Sequence, residues 1–202
     1  MANSRQIFAA NLNTTTNACF SVAPLGSPLP VNATNALDVT FVDCGWMGND
    51  GFVVNPKRTI KRHQAFGGQT VKTTQTDYQE SLTATFYESS PIVFQTLWGT
   101  ANATAGSAGA PGHRTQTIIH SANMLPRISI VITTIDAGGS ASGLQTTRRL
   151  VFQEAEIVEL KQIGYATTEL VKYTITADCY QPINGSQAVL EYIDEPQILA
   201  GS

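Results

Sequence analysis

Apolar and polar side chains alternate with a period of two along several parts of this chain, most regularly in residues 168–180. There every second side chain is apolar: Val171, Tyr173, Ile175, Ala177 and Cys179. Successive side chains of a β-strand point to opposite faces of its sheet, so this pattern predicts a strand with one buried face. Because residues 37–42 and 127–136 repeat the pattern, we expect a fold built mainly from antiparallel strands.

Other segments predict the remaining strands and a single short helix. The strands are expected at 71–78, 80–88, 113–120, 144–153 and 154–162. The helix is expected at 90–99, since Ser90 can cap its free N–H groups, Pro91 suits the first helical position and Gly99 ends it. Together these elements predict an antiparallel β-sandwich or open barrel. Its expected core contains large apolar side chains from several segments: Leu82, Phe86, Phe94, Trp98, Ile130, Tyr173 and Ile175.

The two ends of the chain differ in composition from this β-domain, which we place at residues 36–182. Residues 1–35 are rich in Asn, Thr and Ala and hold three closely spaced prolines, which is typical of an extended N-terminal arm. Residues 183–202 form a predicted C-terminal arm whose apolar side chains should dock on their own domain or on a neighbour. Small residues at 100–112 predict a flexible surface loop.

Charged residues make up only 13% of the chain, against about 25% in an average soluble domain. Thr, Ser, Asn, Gln and Gly replace them, which suits surfaces that neighbouring molecules cover. The net charge of −3 argues against a general nucleic-acid binder. It divides into +3 for residues 1–75 and −6 for the remainder, and opposite charges of this kind can pair between copies. The alternative is an ordinary solvated surface of mixed charge.

No constellation of residues that supports catalysis or metal binding occurs in the sequence. The three histidines and three cysteines lack the spacing of ligand or nucleophile motifs. Glu154, Glu156 and Glu159 fall on one predicted strand, where the first two share a face, and they are interpreted as a solvated or channel-facing strand. We therefore expect no enzyme, no cofactor and no metal. Neither a secretory signal nor a membrane-spanning segment is expected.

A basic cluster within residues 44–70 is the strongest candidate for a contact site. It consists of Lys57, Arg58, Lys61 and Arg62, and Phe66 follows it. A loop that contacts an acidic neighbour is the preferred interpretation, and a phosphate or single-stranded nucleic-acid contact is the alternative.

Two of the predicted strands, 71–78 and 113–120, are polar on both faces. Such strands gain little from joining an isolated sandwich. They suit a sheet that faces a water-filled channel on one side and pairs its edge with another subunit.

An ordered series of short motifs covers residues 37–100. The series runs from CGWMGNDGF at 44–52 through Arg58, AFGGQTV at 65–71 and Thr73-Thr74 to the strand at 81–88 and a helix from Ser90-Pro91 to Trp98-Gly99. In this order the sequence resembles the major tail proteins, or tail tube proteins, of long non-contractile-tailed bacteriophages, especially those that infect actinobacteria. The C-terminal strands agree only with the general β-rich layout of that family.

The resemblance implies a structural subunit of the virion, assembled in the host bacterial cytoplasm as stacked hexameric rings around a lumen that conducts the genomic DNA. It implies ring-to-ring contacts through 1–35, 44–70 and 183–202, the second of which contains the basic cluster and Phe66. Other implied partners are the tape measure, tail terminator and distal tail proteins. No catalytic residue, cofactor or membrane contact is implied. The lumen is expected to be lined from 71–78, 113–120 or 154–162.

Two other classes of protein remain open alternatives to a tube subunit. A tail terminator or connector uses a related fold but forms a single ring. A capsid-decorating or receptor-binding β-sandwich would explain the strand pattern but not the strands that are polar on both faces. A hydrolase on a β-scaffold would need a nucleophile–base pair, which the sequence does not offer.

Overall fold

The structure, a computed structural model, describes residues 8–11, 19–106, 113–136, 145–183 and 187–195. Within these ranges the chain forms strands and one short helix. In chain order the elements are β1 (Ala10–Asn11), β2 (Phe20–Pro24), β3 (Val42–Asp43), β4 (Met47–Gln64), β5 (Thr70–Phe86), α1 (Pro91–Trp98), β6 (Ala103–Ala105), β7 (Gln116–Ile118), β8 (Ile128–Asp136), β9 (Thr147–Leu160), β10 (Tyr173–Tyr180) and β11 (Val189–Asp194). The prediction of a mainly β fold with one short helix is confirmed.

Seven strands follow one another in a single sheet, in the order β3, β2, β8, β9, β10, β5 and β4. β1 also pairs with β8, β11 also pairs with β9, and every pair is antiparallel. β6 and β7 form a separate two-stranded sheet. Among the described residues no ladder joins β3 to β4, so the sheet is not a closed barrel.

The sheet is nevertheless strongly curled, because residues 44–46 connect its two ends. Cys44 donates its N–H to the carbonyl of Phe20 in β2 (2.9 Å), and Trp46 accepts the N–H of Tyr87, which follows β5 (3.0 Å). The rings of Phe20 and Phe86 meet edge to face at 4.9 Å in the interior. Strands that are distant in the sheet order therefore share one core.

That core is apolar and lies between the curled sheet and α1. Five of the predicted core residues are buried in it: Leu82, Phe86, Ile130, Tyr173 and Ile175. Phe94 and Trp98 from α1 are partly buried and pack against it, and Phe94 meets the Tyr173 ring edge to face at 5.5 Å. Each fully buried large side chain contributes about 1.5–3 kcal/mol to the stability of the fold.

The predicted helix matches α1, but its N-terminal cap does not. The Ser90 side chain makes no capping hydrogen bond, and its hydroxyl is buried with no partner among the described residues. The prediction of a Ser90 side-chain cap is therefore wrong. Pro91 stands in the first turn, and Gly99 ends the helix with a positive φ of 86° while donating its N–H to Gln95.

The strand predicted at 37–42 is also wrong, apart from its last residue. Asp38 instead folds the chain into a turn: its carboxylate accepts the N–H of Thr40 (3.0 Å), and its carbonyl accepts the N–H of Phe41 (3.0 Å). Val39 is 95% exposed. Aspartate side chains bond readily to the backbone two residues ahead, and here this local bond overrides the alternating pattern.

The segment predicted as an N-terminal arm, 1–35, is in part a component of the sheet. β2 lies between β3 and β8, and its first four residues are buried. The segment that follows is held on the body by Arg149, whose guanidinium donates to the carbonyls of Asn32 (3.0 Å) and Asn35 (2.7 Å). The structure describes this segment continuously from residue 19 onward. There the predicted boundary between the N-terminal arm and the β-domain, at residue 36, is wrong. The prolines made the whole segment resemble an arm, although its short apolar run is a strand.

Several predicted strands are joined in the structure. Residues 71–78 and 80–86 of two predicted strands belong to the single strand β5, and residues 147–153 and 154–160 of two others belong to β9. No Gly, Pro or Asn interrupts either pair, so nothing in the local chemistry ends the strand between them.

Two other predicted strands are shorter than expected, and part of a predicted loop is a strand. The strand at 113–120 reduces to β7, and the strand at 168–180 begins only at Tyr173. Within the predicted loop 100–112, β6 pairs with β7, and residues 107–112 lie outside the described ranges.

Part of the predicted C-terminal arm docks on its own domain. β11 pairs with β9 along its whole length, from Val189 opposite Phe152 to Asp194 opposite Thr147. The rest of that arm, 184–186 and 196–202, is outside the described residues.

Candidate interaction surface

The most unusual feature of the fold is the length of the β4–β5 hairpin. β10 supports β5 only from Phe86 to Glu80, whereas β4 pairs with β5 out to Gln64 opposite Thr70. Residues 55–79, which we call the arm, therefore extend past the sheet as two strands alone. Ten residues of antiparallel strand, 55–64, span roughly 34 Å at about 3.4 Å per residue.

The arm corrects the prediction of a loop at 44–70. Its register is continuous except for shifts between Thr59 and Ile60 and between His63 and Gln64. Every residue of the arm is exposed except Thr74, which is half-buried. Sequence reasoning missed the β4 half of the arm because a strand with two solvent-facing sides has no apolar alternation to reveal it.

Contacts within the arm are few and lie on its surface. The Arg58 guanidinium lies over the Tyr78 ring at 5.5 Å, and the Tyr78 hydroxyl donates to a Glu80 carboxylate oxygen at 3.0 Å. Further out, the His63 Nε2 and the Thr74 hydroxyl are 3.0 Å apart. Such exposed contacts are worth little individually, so the arm is held mainly by its own ladder.

The arm concentrates positive charge. It contains five basic side chains and one acidic, for a net +4, which leaves −7 on the rest of the chain. The predicted contact residues Lys57, Arg58, Lys61 and Arg62 all lie on it, and none of them forms an ion pair with another described residue.

The tip of the arm presents an aromatic side chain. Ala65 donates its N–H to the carbonyl of Gln69 (2.8 Å), and Gly68 donates its N–H to the carbonyl of Ala65 (3.0 Å). Gly67 and Gly68 have φ values of 102° and 88°, a region that other residues rarely occupy. This tight turn leaves Phe66 fully exposed.

At the other end of the hairpin, a groove of about 640 Å³ opens beside the base of β4. Trp46, 52% exposed, lines it together with Cys19, Met47, Phe52, Leu170 and seven polar or small residues, and among the described residues Glu88 is the single charged one that lines it. Glu88 packs so closely over Gly45 that any Cβ there would overlap its carboxylate. Sequence reasoning did not select Trp46 or Glu88, although a tryptophan between two glycines was a visible signal.

A second carboxylate lies near this groove. Asp43 has one carboxylate oxygen that is buried with no partner among the described residues. Burial raises the pKa of Asp43 above its usual value, and the negative charge of Glu88 raises it further, while N–H groups of Gly45 and Cys44 oppose the shift. The base of the hairpin is thus acidic where the arm is basic.

The outer face of β9, β10 and β5 is polar. Cross-strand pairs on it are Thr174 with Thr85, Thr176 with Thr83, Asp178 with Ser81 and Asp178 with Glu156. The hydroxyls of Thr85 and Thr174 are 2.9 Å apart, and Thr176 donates to Glu159 at 3.2 Å.

Arg127 neutralises part of this face. It forms ion pairs with Glu154 and, at 3.4 Å, with Glu156, and its guanidinium lies 4.0 Å from the Tyr180 ring centre. The prediction that Glu154 and Glu156 share one strand face agrees with this arrangement. The prediction that they are solvated is wrong, because both are buried, whereas Glu159 is exposed.

The three cysteines and His120 lie outside the arm. Cys19, Cys44 and Cys179 are buried, and burial raises the pKa of each thiol to about 12. The His120 ring stacks on Trp98 at 3.9 Å. Within the described ranges no group of three or more His, Cys, Asp or Glu side chains could hold a metal ion. No helix in those ranges is long and apolar enough to cross a membrane.

Comparison with known proteins adds no relative to this description. No protein-family model matches the chain, and no curated protein matches it.

Proposed function

We propose that this protein is a structural subunit of a bacteriophage tail tube, which assembles as stacked hexameric rings around a DNA-conducting lumen and has the tail tube fold. The observation that carries the proposal is the arm: its two strands, exposed on both faces and with a net charge of +4, pair with each other and with no other strand of the described residues. The motif series at 37–100, which resembles tail tube proteins, supports the same conclusion.

An isolated two-stranded hairpin is marginally stable in water, and an exposed strand edge readily pairs with other chains. Here the outer edge of β4, the last strand of the sheet, is open over 47–64. Ile60, Phe66 and Val71 are apolar and exposed on the arm. A neighbouring subunit that covers the arm would stabilise the hairpin and would cover its open edge and its apolar side chains. This favours a self-assembling protein over a monomeric binding module.

The polar outer face of β9, β10 and β5 is our candidate for the lumen wall. Threonine and serine hydroxyls dominate it, and its exposed charges are Asp178, Glu159 and Arg127. Arg127 is paired with Glu154 and Glu156, so carboxylates outnumber the one guanidinium and the face is acidic overall. A phosphate backbone binds to basic surfaces by releasing counterions, so a neutral to acidic wall lets DNA pass without being retained. Of the three strands predicted to line the lumen, we select 154–162 and reject 71–78, which lies largely on the arm.

The free edges of the sheet support the ring assembly that we propose. The sheet ends in β3 at one side and β4 at the other, so pairing between the free edges of neighbouring copies would join the sheets side by side. A ring formed in this way leaves no free edge in its plane, and heterologous stacking of rings then gives a linear polymer.

Electron microscopy of the purified, concentrated protein tests the proposal. We expect hollow tubes with a regular axial repeat. Isolated rings that do not stack would favour a tail terminator or connector instead. Compact monomers or trimers at every concentration would contradict the tube and favour the capsid-decorating or receptor-binding class.

A further inference from the structure

The hairpin carries an exposed aromatic side chain at each of its ends. Phe66 stands at the tip, fully exposed, and Trp46 stands at the base, beside the groove. Exposed aromatic side chains are the residues that most often dominate the binding free energy of protein interfaces. Two of them at opposite ends of one hairpin suggest a contact that is made twice by each copy.

The groove and the tip match in chemistry. The groove has apolar walls formed by Trp46, Met47, Phe52 and Leu170, and Glu88 is the one charged side chain that the described part of the chain contributes to its lining. The tip offers an aromatic ring preceded by Lys61, Arg62 and His63. Within the described residues Glu88 forms no ion pair, so a basic side chain that arrives with the tip would find an available carboxylate.

The groove is also large enough for such a side chain. Its volume of about 640 Å³ falls within the range of roughly 300–1,000 Å³ that is usual for binding pockets. Pockets of this size hold a drug-sized ligand, which is larger than one phenylalanine ring, so the groove would hold the ring of Phe66 together with neighbouring tip atoms.

A tip cannot reach the groove of its own chain. The strand from Met47 to Gln64 separates them, and its 18 residues span at most roughly 60 Å at about 3.4 Å per residue. The register shifts shorten this distance only locally. A Phe66 ring that enters the groove must therefore come from another copy.

We propose that the arm of one copy inserts Phe66 into the groove beside Trp46 of the next copy, with Arg62 facing Glu88. This inference rests on the proposed self-assembly and adds the site at which the arm docks. A contact between two different surfaces of the same chain is heterologous and does not close on itself, so it extends into a polymer. The axial repeat that results is no longer than the hairpin, roughly 60 Å.

Chemical crosslinking tests the site while leaving both aromatic residues in place. The variant Ala65→Cys with Asn49→Cys puts one thiol beside Phe66 and one at the groove, at positions that are both exposed. The native thiols are buried with pKa values of about 12, so they react slowly at neutral pH. After treatment with a short bismaleimide, we expect a ladder of covalent multimers on a denaturing gel.

Three controls define the result. Ala65→Cys with Met124→Cys places the second thiol on an exposed loop residue away from the groove, and it should give no ladder. Each single cysteine variant should give dimers at most. Adding Phe66→Ser to the first pair should raise the concentration needed for the ladder about tenfold or more, because a central aromatic contact is lost.

The outcomes separate this inference from the proposed function. Groove docking would be overturned if polymers form in the electron microscope but no covalent multimers form on the gel. It would also be overturned if the Met124→Cys control gives equally strong multimers. Either result would leave the tube proposal in place. The absence of both polymers and ladder at every concentration would overturn both.

Discussion

The two halves of β5 have the same backbone conformation but opposite surroundings. From Ser81 to Phe86 the strand lies between β4 and β10, and Leu82, Ala84 and Phe86 point into the core. From Thr70 to Gln79 it pairs with β4 alone, and nearly every side chain is exposed. The half from Ser81 to Phe86 is stabilised by burial of apolar area, and the half from Thr70 to Gln79 is stabilised only by its ladder with β4.

This difference explains why one strand contains two kinds of sequence. The buried half needs apolar residues at every second position, whereas the arm half is free of that requirement and is rich in Thr, Gln and Lys. Selection for folding cannot account for an arm that buries almost nothing. The comparison therefore assigns the stability of the molecule to the buried half, and we propose that the arm serves assembly.

Truncation of one phenylalanine in each region should give opposite results. Phe86→Ala removes a fully buried ring that packs on Phe20, and we expect a loss of about 3–5 kcal/mol in the free energy of unfolding. Phe66→Ala should change that free energy by less than about 0.5 kcal/mol but suppress polymer formation. Chemical denaturation and sedimentation measure the two effects. A large loss of stability in Phe66→Ala would contradict the division.

Removal of the arm should leave the body folded. Pro56 and Glu80 face each other in the register, so residues 57–79 can be replaced by Asn-Gly, which favours a two-residue hairpin turn. We expect a cooperative thermal transition within a few degrees of that of the full chain and no polymers. Unfolding of the shortened protein would show that the arm contributes to stability after all.

Charge reversal on the arm should weaken assembly without affecting the fold. Arg58→Glu with Arg62→Glu changes the net charge of the arm from +4 to 0, and we expect at least a tenfold rise in the concentration needed for polymerisation, since like charges then oppose docking. Arg114→Glu with Lys161→Glu makes the same change on the body and is the matched control. Unimpaired polymerisation of the arm variant would exclude a contact role for these arginines.

The smallest effect is expected at the base, from Asp43. Because burial raises its pKa in the folded state, its ionisation destabilises the fold as pH rises through that raised value. Asp43→Asn should therefore be more stable than the parent at neutral pH, and the gain should vanish below about pH 4, where the parent is also uncharged.

Asp38 provides a control of opposite sign. Hydrogen bonds from the Thr40 N–H and hydroxyl lower its pKa, so its charged form is favoured in the fold and stability is lost as pH falls. Asp38→Asn should reduce stability at neutral pH. Thermal unfolding of both variants from acid to neutral pH measures the differences, and a gain in Asp43→Asn that does not vary with pH would contradict the assignment.

Local patterns in the sequence were sufficient for the parts of the fold that bury one face. The alternation in β8 and the Ser90-Pro91 start of α1 predicted those elements close to their observed bounds. The alternation in β10 predicted where that strand ends but placed its start at residue 168, whereas it begins at Tyr173. These alternating patterns failed to predict the structure where the local conformation is fixed by interactions that the pattern does not contain. The Asp38 turn replaced an alternating segment, and β2 lay within a proline-rich stretch that resembled an arm.

Only one of the two parts of the candidate site, the basic cluster with Phe66, could be predicted from the sequence, and the groove could not. The basic cluster and Phe66 are close together in the chain, so their composition drew attention to them. The groove is assembled from Trp46, Glu88 and Leu170, which the fold brings together from separate segments. No local pattern contains that information, because it depends on how 44–46 connect the two ends of the curled sheet.

Hydrogen exchange of the backbone amides, compared between unassembled and assembled protein, tests the division between body and arm most directly. In the unassembled protein we expect fast exchange at 55–79 and slow exchange in β8, β9 and β10, since exposed ladders open locally. On assembly the arm should become strongly protected while the body changes little. Arm amides that exchange equally fast in both states would contradict the claim that the arm exists to contact another copy.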